Sequence, residues 1–280
     1  MNRSSVWQQA QSEELNCWVQ ISHKLHSELY IERKKAYWRR ILHKAGLSAE
    51  SLTDQSIIEV GAGPSGIFLL FPNKSDFVTL DPLNDAYRRL APHLFHQQMT
   101  IAAPLESFVS EQTFDTVFAI NCIDHSDDIE LFVAKLALLC GARGTAVLAV
   151  NCHQHYWSEW IWQRFQAILE PHHPYHFTEA NYARLLTPHF NIVRVADIEE
   201  DVIWINNETS DRKIPPPADE RTPRSQRSPG RRLWPALVSG RALAVLFMRF
   251  LALLGWPAHD FTGNGRSLYR HKLFVLQPKS

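Results

Sequence analysis

The sequence predicts an α/β protein built on a mostly parallel sheet with helices on both faces. The first observation is Ile57-Ile58-Glu59-Val60, a short strand-like run that passes straight into Gly61-Ala62-Gly63-Pro64-Ser65-Gly66. The second is the alternation of strand-like and helix-like segments from Ser56 to Val150, which parallel strands need because each crossover must return over a face of the sheet. The third is length, since 280 residues suit one such domain with additions and supply a sizeable core.

Residues 1–50 read as an N-terminal helical extension. Trp18, Ile21, Leu25, Leu29 and Ile31, then Tyr37, Trp38, Ile41 and Leu42, recur at helical spacing, and Gly46 suits a helix C-cap. A core over 51–200 follows, with strands at Ser56–Val60, Phe77–Leu80, near Met99–Ala102, Phe114–Ile120 and Gly144–Val150. The intervening helices are one stopping at Pro72, one over Asn84–Leu90 and one over Asp128–Cys140. An aromatic-rich helix over Tyr156–Leu169, a helix started by Thr178 and a strand over Phe190–Ala196 complete this part. Residues 201–265 read as an insertion, a basic Pro-rich linker over Arg212–Arg232 and then an apolar helix, and residues 266–280 hold the final strand, Leu268–Leu276.

Composition narrows the function classes. Twenty-nine basic residues balance twenty-nine acidic ones, so no global field draws the chain to nucleic acid, and a small molecule is the expected partner. Cys17, Cys122, Cys140 and Cys152 lack Cys-x-x-Cys spacing, and the first twenty residues are too polar for a secretory core, which fits a cytoplasmic setting. The apolar run Leu233–Trp256 contains Arg241 and Arg249 and is interrupted by Pro235, Gly240 and Gly255, which disfavours a bilayer span. It reads as a buried or lid helix, or else as an interfacial helix in peripheral contact with a membrane.

The glycine turn is a cofactor turn of two spellings. Gly61 and Gly63 stand where the backbone needs φ > 0 or where a Cβ would collide with a ligand, and Gly66 allows close packing of the following helix. Val-Gly-Ala-Gly-Pro-Ser-Gly suits a flavin- or nicotinamide-binding fold, with a pyrophosphate on a helix N-terminus. Three features point elsewhere. Glu59, two residues before the first glycine, is a carboxylate where a dinucleotide fold wants an apolar residue, and Pro72 breaks the next helix early. Asp81 ends the second strand, twenty residues after Gly61, where an acid accepts from ribose hydroxyls of either nucleotide. Finally, Phe114-Asp115 opens a buried strand that ends on Asn121-Cys122-Ile123-Asp124-His125.

These segments together resemble the first and fourth motifs of the class I S-adenosylmethionine-dependent methyltransferases. His176-Phe177-Thr178-Glu179, before a Leu-Leu helix and a closing strand, is similar to the type 11 branch. The resemblance covers roughly residues 32–198 and the final strand, and it implies a Rossmann-like, mostly parallel seven-stranded sheet. It also implies S-adenosylmethionine as cofactor and methylation of a small acceptor at O, N or C. In that family Glu59 lies near the methionine end, which carries a sulfonium and an ammonium. Glu59, Gly61, Ala62, Gly63, Asp81, Pro82 and Asn121 are the implied donor-binding residues. Glu106 is the candidate for the adenine amino group, against a solvated acid at a helix start.

Methyl transfer from a sulfonium needs alignment of the nucleophile and a place for its proton. His125, after the fourth strand, is the candidate base, and the alternative is a loop histidine that packs against the cofactor or caps a helix. His153, His155, His172, His173 and His176 read as lining an acceptor pocket in preference to a metal site, since no cysteine or carboxylate completes a familiar spacing. Asp124 with Asn151 matches a Mg²⁺ site poorly, so no metal is expected. Trp157 and Trp160 are spaced to face inward together with Trp162 elsewhere, and the surplus aromatics suggest an amphiphilic acceptor. The alternatives are a flavin or nicotinamide oxidoreductase and a scaffold that binds S-adenosylmethionine without catalysis.

Overall fold

The computed structural model describes residues 3–169, 175–216 and 269–279. The chain opens with three helices, α1 (Arg3–Gln20), α2 (Ser22–Leu25) and α3 (Glu28–Ala45). The Ser27 hydroxyl accepts from the Tyr30 amide at the start of α3, and Gly46 ends it in the left-handed region at φ +79°. Strands β1 (Ile57–Val60) and β2 (Phe77–Leu80), helix α4 (Asn84–Leu90), and strands β3 (Met99–Ile101) and β4 (Phe114–Ile120) follow. Then come α5 (Ile129–Leu139), β5 (Cys140–His153), α6 (Tyr156–Leu169), β6 (Phe177–Thr178), α7 (Glu179–Leu186), β7 (Phe190–Asp197), α8 (Glu199–Glu208) and β8 (Tyr269–Pro278).

Seven strands run in the order β3-β2-β1-β4-β5-β8-β7, and the two-residue β6 adds an eighth beside β5. The pairs among β1 to β6 are parallel, whereas β8 is antiparallel to both β5 and β7. The order places β1 and β4 side by side with crossovers departing in opposite directions. Open sheets of this kind bind ligands at that point, beyond the carboxyl ends of the strands.

Successive residues of the central strands point to opposite faces and build two apolar layers. Ile57, Phe77, Phe118, Val147 and Val275 pack with Tyr37, Trp38, Ile41 and Leu42 of α3 and Ile205 of α8. Ile58, Val78, Val117, Leu148 and Phe274 pack with Phe132, Val133 and Leu136 of α5 and Tyr182 of α7. The N-terminal helices are therefore a face of the core. Leu29 departs from the expected stripe and is exposed, because the apolar side of α3 runs through Tyr30, Tyr37 and Ile41.

Several boundaries differ from the sequence reading. No α-helix follows Gly66; two 3₁₀ turns, Gly63–Ser65 and Ile67–Leu70, fill the space before Pro72. Strand β5 begins directly at Cys140, because Cys140 pairs with Phe114 before a register shift. The start of the expected insertion is ordered as α8, where buried Asp201 meets Arg40 of α3 with Nη2 to Oδ1 at 2.6 Å. Residues 217–268, which include the rest of the expected insertion with the apolar run 233–256 and the first residues of the expected final strand, lie outside the described residues. None of the helices among the described residues is long and apolar enough to cross a membrane.

Candidate functional site

The glycine turn owes its shape to three positions. Gly61 sits at φ +66°, where an added Cβ would be built into the Cβ of Cys122 and lie 2.9 Å from its Sγ. Gly63 sits at φ +57° and faces open space, with nothing within 4 Å of an added Cβ. Both need the left-handed region, which costs other residues energy, but only Gly61 is also confined by its neighbours. Gly66 has ordinary φ and is required for room, since a Cβ there would lie 2.5 Å from Glu59 Oε1.

Glu59 explains that crowding. Its buried carboxylate accepts from the amides of Ile67 (2.8 Å) and Phe68 (3.1 Å), so it holds the second 3₁₀ turn from beneath. Burial pushes this carboxyl up to about 8, against the pull of the two amides and of Lys34. Lys34 is pushed down to about 8 by its own burial, with Glu59 opposing, and its ammonium lies over the Tyr37 and Trp38 rings. Helix α3 also grips the turn from outside. The Trp38 indole donates to the Ser65 carbonyl at 2.9 Å, and the Tyr30 and Ser65 hydroxyls are 3.2 Å apart.

Asp81 closes the turn from the neighbouring strand. One carboxylate oxygen accepts from Gly63 N at 3.0 Å and the other from Leu83 N at 2.8 Å. Burial raises this carboxyl to about 6; the two amides oppose the rise and nearby Glu14 adds to it. Asn84, the first residue of α4, donates its side-chain amide to the carbonyls of Thr79 and Ile101 and so ties the helix start to the ends of β2 and β3.

Beyond these strand ends lies a cleft. Gly61, Asp81, Pro82, Glu106, Asn121 and His125 all line it. Asn121 is the only described residue other than glycine with positive φ, at +55°, a conformation asparagine tolerates better than most residues. This reversal follows β4 directly and precedes the turn Ile123–His125, which carries His125 to the cleft wall. Glu106 also lines the cleft, with Oε1 accepting from Asp127 N at 3.0 Å. Glu59, Ala62 and Gly63 are not among the lining residues; Ala62 is buried, and Glu59 acts on the cleft through the turn it holds.

The sequence reading missed one wall of this cleft, which α1 supplies through Trp7, Gln11 and Glu14, and it also missed Cys122, Ser126 and Phe132. The spacing of Trp7, Gln11 and Glu14 puts them on one helix face, but a stripe of mixed polarity carries no strong periodic signal.

At the end of β5 the histidines divide. His153 and His176 are buried and pack with Trp162 and Tyr269, with ring centroids 4.4 Å apart for His153–Tyr269 and 5.1 Å for Trp162–His176. His176 Nε2 stands 3.9 Å from Asp124 Oδ2. His155 is exposed beside Trp157, and His172 and His173 lie outside the described residues. The inward pairing expected for Trp157 and Trp160 is reversed, since both are exposed and Trp162 turns in. The inward side is claimed by Glu159, whose carboxylate accepts from Thr178 N at 2.7 Å and from Asn181 Nδ2 at 2.6 Å.

A dinucleotide fold offers a pyrophosphate the free amides of a helix N-terminus. Here no such helix follows the glycines, and the amides of Ile67 and Phe68 are taken by Glu59. The cleft is instead lined by the carboxylates of Glu14, Asp81 and Glu106, which suits a ligand with hydroxyl donors and positive charge.

Comparison with known proteins agrees with this geometry. The fold is similar to the YcgJ protein of Bacillus subtilis, with a TM-score of 0.52 and 13% identity over 85% of this chain and 98% of that one. It is similar to coclaurine N-methyltransferase, solved with N-methylheliamine and S-adenosylhomocysteine, with a TM-score of 0.53 and 14% identity over 88% of this chain and 72% of that one. A third is phosphoethanolamine N-methyltransferase 2 of Haemonchus contortus, at a TM-score of 0.51 and 14% identity over 81% of this chain and 49% of that one. No curated protein matches the sequence. The model of a methyltransferase domain matches residues 30–189, more than half of the chain. The chain therefore belongs to the methyltransferase domain family, as a class I S-adenosylmethionine-dependent methyltransferase.

Proposed function

We propose that the protein binds S-adenosylmethionine in the cleft beyond β1, β2 and β4 and methylates a small acceptor of hydrophobic or amphiphilic character in the cytoplasm. The observation that carries this reading is the meeting of Gly61, Asp81, Asn121 and His125 in one cleft. The residues fit the group, because Gly61 brings bare backbone to the cleft wall and the carboxylates of Glu14, Asp81 and Glu106 suit hydroxyl donors and positive charge. The bound donor supplies a methyl group already activated on a sulfonium. The protein's own part is to hold and align. Asp81 accepts from the ribose hydroxyls, Gly61, Gly63 and Pro82 let the backbone approach, and Glu106 receives the adenine amino group. Ala62 and Asn121 fix the path of the two loops, and Glu59 keeps the turn in shape. His125 takes the acceptor's proton as the new bond forms.

The acceptor is assigned to the end of β5, near the ring cluster of His153, Trp162, His176 and Tyr269 and the exposed Tyr156, Trp157 and Trp160 of α6. Aromatic side chains at such an edge favour an apolar body with a polar reacting group, and they support a peripheral membrane contact shared with residues 233–256. The test is production of S-adenosylhomocysteine from S-adenosylmethionine with organic-soluble and aqueous extracts supplied separately as acceptor. Turnover confined to the organic-soluble extract is expected, and turnover confined to the aqueous extract removes the amphiphilic assignment. His125→Ala should lower turnover by about 10²–10⁴-fold at unchanged S-adenosylhomocysteine affinity. Full activity in that variant removes the base.

A further inference from the structure

Helix α1 carries a stripe whose composition does not suit packing alone. Trp7, Ala10, Gln11, Glu14 and Trp18 follow one another at helical spacing, and Ala10 is buried while Gln8, Gln9, Ser12 and Glu13 on the other side are exposed. A helix that serves only to cover a core turns apolar residues inward. This one turns a glutamine and a glutamate toward a cleft that already contains Asp81 and Glu106. Gln11 and Glu14 are both half-exposed, so their polar groups stay accessible to a ligand that exchanges its own donors for solvent.

Glu14 is also oriented. The hydroxyl of Tyr87, itself fully buried, donates to Glu14 Oε1 at 3.2 Å, and the Trp18 ring stands edge-on to Tyr87 at 6.4 Å between centroids. The held carboxylate adds to the rise of the Asp81 carboxyl, so like charges have been placed near each other. Neighbouring carboxylates with no cation between them are destabilising on their own, and they become favourable when a ligand brings several hydroxyl donors or a positive charge.

We infer that α1 is a recognition wall of the donor site, with Trp7 offering an aromatic face to the nucleoside base and Glu14 acting beside Asp81 on the ribose diol. This rests on the donor proposed above. The paired carboxylates also set specificity, because they repel a ribose that carries phosphate where they accept from free hydroxyls.

Calorimetric titration with S-adenosylhomocysteine, which needs no acceptor and no turnover, tests the inference. Glu14→Gln should weaken binding about 10- to 100-fold, the loss of one hydrogen bond to a charged group. Trp7→Ala should weaken it about 5- to 10-fold, and Gln8→Ala on the exposed side should leave it unchanged. Amide exchange in α1 of the wild-type protein should slow on adding S-adenosylhomocysteine, a readout that does not depend on how the variants fold. Wild-type binding with unchanged affinity in both variants, or no slowing in α1, overturns the inference and leaves the donor reading standing. Absence of binding by the wild-type protein overturns both.

Discussion

Replacing Gly61 and Gly63 separately by alanine should divide stability from binding at two positions two residues apart. Alanine in the left-handed region costs about 1–2 kcal/mol, and both positions incur that cost. At Gly61 the new methyl also enters the Cβ of Cys122 and lies 2.9 Å from its Sγ, an overpacking that costs about a further 1–3 kcal/mol. Gly61→Ala should therefore lose about 2–5 kcal/mol, a drop in Tm of roughly 4–20 °C for a chain of this size. Gly63→Ala has nothing within 4 Å to strike, so it should lose only the backbone part. Its strained backbone carries the amide from which Asp81 accepts at 3.0 Å, and displacing that carboxylate should lower S-adenosylhomocysteine affinity by more than about tenfold. Urea unfolding and calorimetry measure the two quantities independently. A double-mutant cycle of Gly61→Ala with Cys122→Gly should recover the steric part and leave the backbone part. Equal destabilisation of the two alanine variants, or wild-type affinity in Gly63→Ala, would refute the reasoning.

Two further outcomes follow from the geometry. The Asp81 carboxyl is raised to about 6 mainly by burial, and the ribose contact proposed for it requires the ionised form, so on that proposal the bound protein holds this proton less tightly than the free protein. Donor affinity should be level above pH 6 and fall about tenfold per unit of pH below it, a dependence absent in Asp81→Asn; a level profile from pH 5 to 7.5 in the wild type would contradict it. Arg40 pairs with Asp201, which is 1% exposed, and the remaining cation, Lys44, stands 3.8 Å away. Arg40→Ala should cost about 1–3 kcal/mol by leaving a buried carboxylate half-compensated, whereas Asp201→Asn should cost less; wild-type unfolding of Arg40→Ala in urea would remove the pair from the account.

What the sequence disclosed depended on how local the determinant was. Strands β1, β2 and β4 were legible because the residues that fix them are consecutive and apolar, and the cleft positions of Asp81 and Asn121 were legible because each directly follows a strand, with His125 one short turn further on. The α1 wall was hidden. Its contribution to the cleft is set by how a whole helix packs on Tyr87, more than seventy residues away, and no local spacing encodes that. The orientation of α6 was hidden for a related reason. Glu159 pairs with Thr178 and Asn181, residues distant in sequence, and this turns it inward and leaves Trp157 and Trp160 to solvent.

Glu59 shows how a sound discrimination can rest on the wrong contact. Read from sequence, it separates the two cofactor spellings by facing a cationic donor. In the fold it faces away from the cleft, and it separates them by what it consumes. A glycine-rich turn binds pyrophosphate by presenting several unpaired amides to an anion. The carboxylate of Glu59 accepts two amides of this turn, at Ile67 and Phe68, and Asp81 accepts a third at Gly63. The turn is left with bare backbone and few free donors, and the surrounding charge is negative. A single acid beside the first glycine thus converts an anion cradle into a surface suited to a cationic nucleoside. Glu59→Gln would oppose an amide donor to one of those backbone amides, and the turn would lose its shape before the cleft lost any direct contact.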